Sequence, residues 1–227
     1  MRMQIAIDGP AASGKSTAAR GLAARLGGLY VNTGDMYRTL AWAALQAGAE
    51  PVEHPETVPP LLPRWDLRYR QDHDGQLRLV LNGQPVRQDD IRAPEVAAVV
   101  SYVARIPEVR AWMTSRQRDC AALDAPIVME GRDIGTVILP DATHKFFVTA
   151  TPMERARRRL AQSGEVASGA TLEQVAADIA ERDRIDSTRA VAPLKAAPDA
   201  ITVVTDGMTP EAVVEHLLAL IPEAAQR

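Results

Sequence analysis

Residues 9–16 read GPAASGKS, directly after QIAID and at the head of SGKSTAARGLAARLGG, and no other stretch restricts the fold as much. A short β-branched run, a glycine-bearing turn and a helix-forming segment make a strand–loop–helix unit matching the nucleotide-binding pattern G-x-x-x-x-G-K-[ST]. The glycines let consecutive backbone N–H groups turn inward around an anion, and the helix points its positive dipole end at the same place. Gly9, Pro10, Ala11, Ala12, Ser13, Gly14, Lys15, Ser16 and Thr17 are therefore expected to wrap a nucleoside triphosphate. Lys15 would reach the outer phosphates, and Ser16 would offer its hydroxyl to Mg²⁺. Only Lys145 and Lys195 share its residue type; all other basic side chains, histidines aside, are arginines.

Strand and helix signals alternate along the rest of the chain. LYV (29–31), PIVME (126–130), KFFVTAT (145–151) and AITVVTDG (200–207) read as further strands, the middle two each followed by a turn and a helix-like stretch. TGDMYRTLAWAALQAG spaces Met36, Leu40, Ala44 and Ala47 for one helix face, and the last helix starts with Thr209 as N-cap and Pro210 behind it. The pattern predicts an α/β fold: a five-stranded parallel sheet flanked by helices on both faces. The middle breaks the rhythm. WDLRYRQDHDGQLRLVLNGQPV alternates apolar and polar residues around HDG and NG, which predicts antiparallel hairpins, and two helical segments follow at 93–106 and 107–123. Residues 63–123 are read as an α+β insertion, entered through the proline-rich PETVPPLLPR, into a core formed by 1–62 and 124–227. Near SGEVASG the helical pattern fails between two arginine-rich segments, which predicts a short lid around 155–170.

Composition narrows the partners. The net charge of −3 over 227 residues lacks the basic excess of nucleic-acid or membrane binders, so neither is expected. One cysteine, Cys120, excludes an internal disulfide framework and reads as a quiet thiol, consistent with a cytoplasmic protein. The N-terminus reaches Asp8 too soon for a signal peptide, and no apolar run approaches the about 20 residues of a membrane span. Nothing demands more than a monomer.

Two features bear on what happens to the triphosphate. Glu130 ends an apolar strand where an acidic residue belongs near the metal. ERARRRL (154–160) and ERDRIDSTR (181–189) place arginines on either side of the irregular segment, as clamps on a transferring phosphoryl group require. No NKxD-type guanine motif is present. A small-molecule kinase, a non-catalytic nucleotide-sensing module and an ATPase acting on nucleic acid all begin from the same loop; the paired arginine segments favour the first.

The ordered set IAIDGPAASGKST, NTGDMYR, EVAAVVSYVARIPEVR, EGRDIGTVILPDA and RDRIDSTRAVAPL, from Ile5 to about Asp206, closely resembles bacterial cytidylate kinases of the nucleoside monophosphate kinase group. The resemblance implies phosphorylation of CMP and dCMP by ATP with Mg²⁺, within pyrimidine nucleotide metabolism. It implies that Thr33, Arg38, Arg132 and Arg189 hold the CMP phosphate, that Ser101, Arg110 and Asp133 meet cytosine, and that Arg182 and Asp186 meet the pentose. Lys15, Arg132 and Arg189, with Arg155 and Arg158 from the lid, would carry the catalytic charge; Arg159 is a third lid candidate. Ser16 and Glu130 would face the metal, partly through water. A carboxylate facing the cytosine amine and an arginine facing its acceptors would penalise uracil, which reverses two of those contacts. The chain departs from the family at Asn32, where an acid is common, at Thr33 for serine, at Asp35 for a small residue, and at Glu130 for aspartate. Uridylate and shikimate kinases are the nearest enzymatic alternatives.

Overall fold

The β-branched run Gln4–Asp8 forms β1 and is buried from Ile5 onward, because a central parallel strand is covered on both faces. A computed structural model describes residues 3–162, 166 and 169–222. β2 (Leu29–Asn32), β6 (Ile127–Gly131), β7 (His144–Thr149) and β8 (Ile201–Val204) join β1 in one parallel sheet ordered β2-β6-β1-β7-β8. β6 pairs with β1 and β2 with β6, all parallel, so the residues following their C-terminal ends emerge on the same edge of the sheet as the phosphate loop.

α1 (Lys15–Arg25) ends before Gly27, which takes φ 60°, and packs its alanine- and leucine-rich face on the sheet and on α8 (Pro210–Ala219). α8 is capped by Thr209, whose hydroxyl accepts the Ala212 N–H at 3.2 Å. α2 (Thr33–Gln46) buries Met36, Leu40 and Ala44 as its spacing predicts; Ala47 is exposed, because the helix has ended and Ala47 is its C-cap.

The region 63–123 contains β3 (Leu67–Gln71), β4 (Leu77–Leu81) and β5 (Gln84–Pro85) as an antiparallel sheet, then α3 (Gln88–Ile91), α4 (Pro94–Arg105) and α5 (Pro107–Ala121). Asn82 and Gly83 turn the second hairpin with φ 51° and 82°, the paired positive values that an Asn-Gly hairpin supplies. Its apolar cluster is shared: Val96, Val100, Val103, Val109 and Met113 pack against Met36, Leu40 and Ala44 of α2 and against Val58 and Leu62 from the 3₁₀ turns at 55–64. The helix-like stretch expected after β6 is a single π-type turn, Ile134–Ile138, closed off by Pro140. α6 (Pro152–Leu160) and α7 (Leu172–Thr188) lie on either side of the irregular segment; residues 163–165 and 167–168 of SGEVASG lie outside the described residues. No helix among the described residues is long and apolar enough to cross a membrane.

Candidate active site

The phosphate loop forms where β1 runs out. Gly9 has φ 152°, and a Cβ there would stand 2.0 Å from the Val148 carbonyl oxygen, so the loop passes β7 only as glycine. Gly14 caps α1 with φ 90° and no side-chain hydrogen bond, leaving the first-turn N–H groups for an anion. Lys15 is buried and folds back, donating to the Pro10 carbonyl at 2.6 Å and to Ser13 Oγ at 3.4 Å. Burial pushes its ammonium well below the ordinary lysine range, and Arg132 nearby adds to the effect.

Ala12, Ser13, Gly14, Lys15, Ser16 and Thr17 line one side of a pocket. The other walls are Asn32, Gly34, Asp35 and Arg38 at the start of α2, Glu130 in β6 and Arg132 just after it, Arg92 before α4, Arg159 at the end of α6 and Gln162 just beyond it, and Arg182 on α7. Gly9, Pro10 and Ala11 of the motif do not line it. Pro10 holds Lys15, while Ala11 donates its N–H to Asp183 Oδ1 at 3.1 Å and accepts from Arg155 Nη1 at 3.2 Å. Burial first, then mutual repulsion, pushes the guanidiniums of Arg38, Arg159 and Arg182 below the usual arginine value. Cations crowded in this way are stabilised by a multivalent anion.

Beside it lies a second pocket, lined by Thr33, Ser101, Arg110, Asp133, Asp186 and Arg189 together with Gly34, Arg132 and Arg182. Eight of the nine residues expected to meet the acceptor nucleotide thus line one pocket; the ninth, Arg38, faces the phosphate pocket next door. Four segments supply them, and an alternating chain of charge joins them. Arg110 pairs with Asp133, Asp133 Oδ1 meets Arg189 Nη2 at 3.4 Å, Arg189 Nη1 meets Asp186 Oδ1 at 3.7 Å, and Asp186 Oδ2 accepts from Arg132 Nε at 3.0 Å. Every side chain in it is at most 16% exposed. The buried Nε atoms of Arg110 and Arg182 have no hydrogen-bond partner, donors left over for a ligand.

Two residues that sequence reasoning passed over hold this arrangement. Asp8, the last residue of β1, accepts the N–H groups of Ile134 at 2.8 Å and Gly135 at 2.7 Å, tying the loop that carries Arg132 and Asp133 to the root of the phosphate loop. Burial pushes its carboxyl up to about 6. Asp183 on α7 binds the Ala11 N–H and pairs with Arg155. An acid ending the strand before the glycine loop was a visible cue for the first; the second had none.

The arginines of α6 expected to belong to a lid separate. Arg155 is buried against Ala150 O at 3.2 Å, Ala11 O and Asp183, and Arg158 is held by Glu154, Ser13 O and Thr205, so both brace the phosphate loop from behind. Arg159 is the one among the pocket-lining residues. Glu130 lines the pocket and accepts the Tyr30 hydroxyl at 2.8 Å, and its main-chain carbonyl accepts from Thr33 Oγ1 at 2.8 Å. A hydroxyl and a carboxylate facing a phosphate pocket are hard oxygen donors, the set that Mg²⁺ accepts when phosphate and water complete its shell.

The chain is 44% identical over 224 residues to a protein named cytidylate kinase from Mycolicibacterium paratuberculosis, covering 98% of this chain and 96% of that one. It is 43% identical over 226 residues to one of the same name from Bacillus cytotoxicus, covering 100% and 99%. Among solved structures, shikimate kinase from Bacteroides thetaiotaomicron is similar at a TM-score of 0.49 and 12% identity, covering 96% of this chain and 97% of that one. The family model described as cytidylate kinase matches residues 5–223, and with these relatives over nearly its whole length the chain belongs to the cytidylate kinase family.

Proposed function

We propose that this protein transfers the γ-phosphoryl group of ATP to the phosphate of CMP or dCMP, forming CDP or dCDP in pyrimidine nucleotide metabolism. The observation that carries the reading is the junction of the two pockets: Gly34, Arg132 and Arg182 line both. A donor phosphate seated on Lys15 and the N-terminus of α1 would meet an acceptor phosphate seated by Thr33, Arg38, Arg132 and Arg189 at that junction. Two anions brought together repel, and the guanidiniums between them lower that barrier; the acceptor is already anionic, so no general base is needed. The γ-phosphoryl group moves with its bond to the ADP oxygen breaking as the bond to the CMP phosphate oxygen forms, the two oxygens in line.

Ser16 and Glu130 are the groups proposed to hold Mg²⁺, which would supply positive charge to neutralise what develops on the transferring phosphate. Arg110 and Asp133 read cytosine beside Ser101, and Arg182 and Asp186 take the pentose. Residues 63–123 serve as the acceptor domain on the core of 1–62 and 124–227, with a lid around 155–170 that brings Arg159 over the phosphates. One chain lines both pockets, which supports a monomer, and the buried, unreactive Cys120, its thiol pushed up to about 12 by burial, suits a cytoplasmic protein.

An ADP-release assay with Mg-ATP across CMP, dCMP, UMP, AMP and GMP tests this. CMP and dCMP should turn over fastest, with UMP behind by about tenfold or more, the value of one discriminating base contact. ADP release that no monophosphate raises above background would overturn the kinase reading.

A further inference from the structure

Ala12, inside the phosphate loop, takes φ 56°, the left-handed region where a residue with a Cβ is uncommon. Gly14 is left-handed too, at φ 90°, while Ser13 between them keeps a negative φ. Alternating hand over successive residues turns their N–H groups to one side, the nest that holds an anion, and all three residues line the phosphate pocket. The anion-binding shape of the loop therefore includes a strained alanine, and such strain persists only where the surroundings over-determine it. Those surroundings are α6 and α7. One residue before the strained position, both main-chain groups of Ala11 are held: its N–H donates to Asp183 Oδ1 at 3.1 Å, and its carbonyl accepts from Arg155 Nη1 at 3.2 Å. Asp183 and Arg155 pair with each other, closing a ring around Ala11, and Arg155 Nε donates to the Ala150 carbonyl at 3.2 Å. The Ala11 methyl is buried with Ala156 of α6 and with Val175 and Ile179 of α7, and Ala12 packs against that cluster.

Asp183 stands 172 residues from Ala11, so the hold on the loop comes from outside the nucleotide-binding motif. Resting on the donor site proposed above, we propose that Asp183 is a positioning residue for the donor triphosphate: with Arg155 it fixes Ala11, keeps Ala12 left-handed, and so shapes the nest before ATP arrives. The ligand served is the polyphosphate of the donor. The acceptor monophosphate is not, because no residue of the phosphate loop lines the acceptor pocket. Asp183 also favours the cationic forms of Lys15 and Arg182, against the burial that dominates both, so its charge and its hold on the loop need separate readouts.

The test measures Kd for Mg-ATP and for CMP, each alone, and melting temperature in wild type, Asp183→Ala and the double variant Asp183→Ala/Ala12→Gly, with binding read well below each melting point. Asp183→Ala should weaken Mg-ATP by about tenfold, the value of one hydrogen bond to a charged group, with CMP moving less than about threefold. The double variant should bind Mg-ATP about threefold more tightly than Asp183→Ala, because glycine enters the left-handed region without being held there. Glycine restores no charge beside Lys15 or Arg182, so that recovery belongs to the loop. Mg-ATP affinity within about twofold of wild type in a folded Asp183→Ala protein overturns the proposal and leaves Asp183 a structural brace, whatever the melting temperature does. Equal losses of Mg-ATP and CMP affinity overturn it as well, since they would make Asp183 a support for the whole site. So does a double variant no tighter than Asp183→Ala, which would assign the loss to charge. Wild-type protein that binds no Mg-ATP is a separate failure, removing the donor site itself and this proposal with it.

Discussion

Arg110→Met tests whether the alternating charge chain reads the base. The perturbation has two consequences of different size. Arg110 is 2% exposed, pairs with Asp133, donates to the Ala104 carbonyl at 3.2 Å and lies over the Tyr37 ring at 5.5 Å. Methionine keeps most of the stem's packing and removes the charge, so Asp133 retains only Arg189, at 3.4 Å. Breaking a buried pair from one side costs about 3–5 kcal/mol, and the surviving partner places this case near about 3 kcal/mol. For a chain of this length that lowers the melting temperature by about 6–12 °C. The second consequence is selective. An arginine facing the acceptors of cytosine is worth about 1–3 kcal/mol of discrimination, so the CMP-to-UMP ratio of kcat/KM should shrink by about fivefold to a hundredfold. Some loss must fall on both nucleotides alike, because Asp133 also orients Arg189, a proposed phosphate ligand. The assay is kcat/KM for CMP and UMP, well below the variant's melting temperature, beside Arg132→Met, which should weaken both acceptors equally. A folded Arg110→Met protein with the wild-type ratio would refute base reading and leave Arg110 as a prop for Arg189.

Lys15→Met should retain its fold, since it removes a charge that burial disfavours, and should lose about 10²–10³ in kcat; near-normal turnover would show that the phosphate loop is not catalytic. Asp8, raised from 3.8 to about 6, holds a proton more tightly folded than unfolded, so its contribution to stability is complete below 3.8 and is lost as pH rises through about 6. Urea unfolding between about pH 4 and pH 7 should show that downward trend in wild type and its absence in Asp8→Asn, and parallel curves would count against the shift. Arg155→Met should lower the melting temperature by stripping half-buried Asp183 of its partner, whereas Arg159→Met should lower kcat with the melting temperature held within about 2 °C; the reverse pattern would favour Arg155 as the cation at the phosphates.

What could be read before folding, and what could not, follows from how each part is encoded. The phosphate loop is local: nine consecutive residues supply its glycines, its lysine and the dipole of α1, so GPAASGKST carries both its geometry and its chemistry. The sheet was readable for the same reason, each strand being one short run of apolar residues closed by polar ones. The acceptor pocket joins α2, the end of β6, α4–α5 and α7, and only the family pattern named its members, because nothing in the spacing of Arg110 and Asp133 says that they touch. Helical phase separates the arginines of α6. Arg155 and Arg159 are four residues apart on α6 and share a face, but one turn of about 5.4 Å separates a side chain buried behind the loop from one that reaches the pocket. ERARRRL shows the charge and hides which turn is used. Asp35 is the sharpest case: near Arg38 in sequence it reads as a liability to phosphate binding, yet its carboxylate pairs with Arg92, 57 residues away. Such long-range pairs also connect the two halves of the reaction. Asp133 pairs with Arg110, proposed to read the base, and with Arg189, proposed to hold the phosphate, while Asp186 pairs with Arg189 and with Arg132 at the junction of the pockets. A wrong base that drew Asp133 off Arg189 would therefore disturb the guanidiniums at the transferring phosphate, so selectivity at the base would appear in kcat as well as in KM.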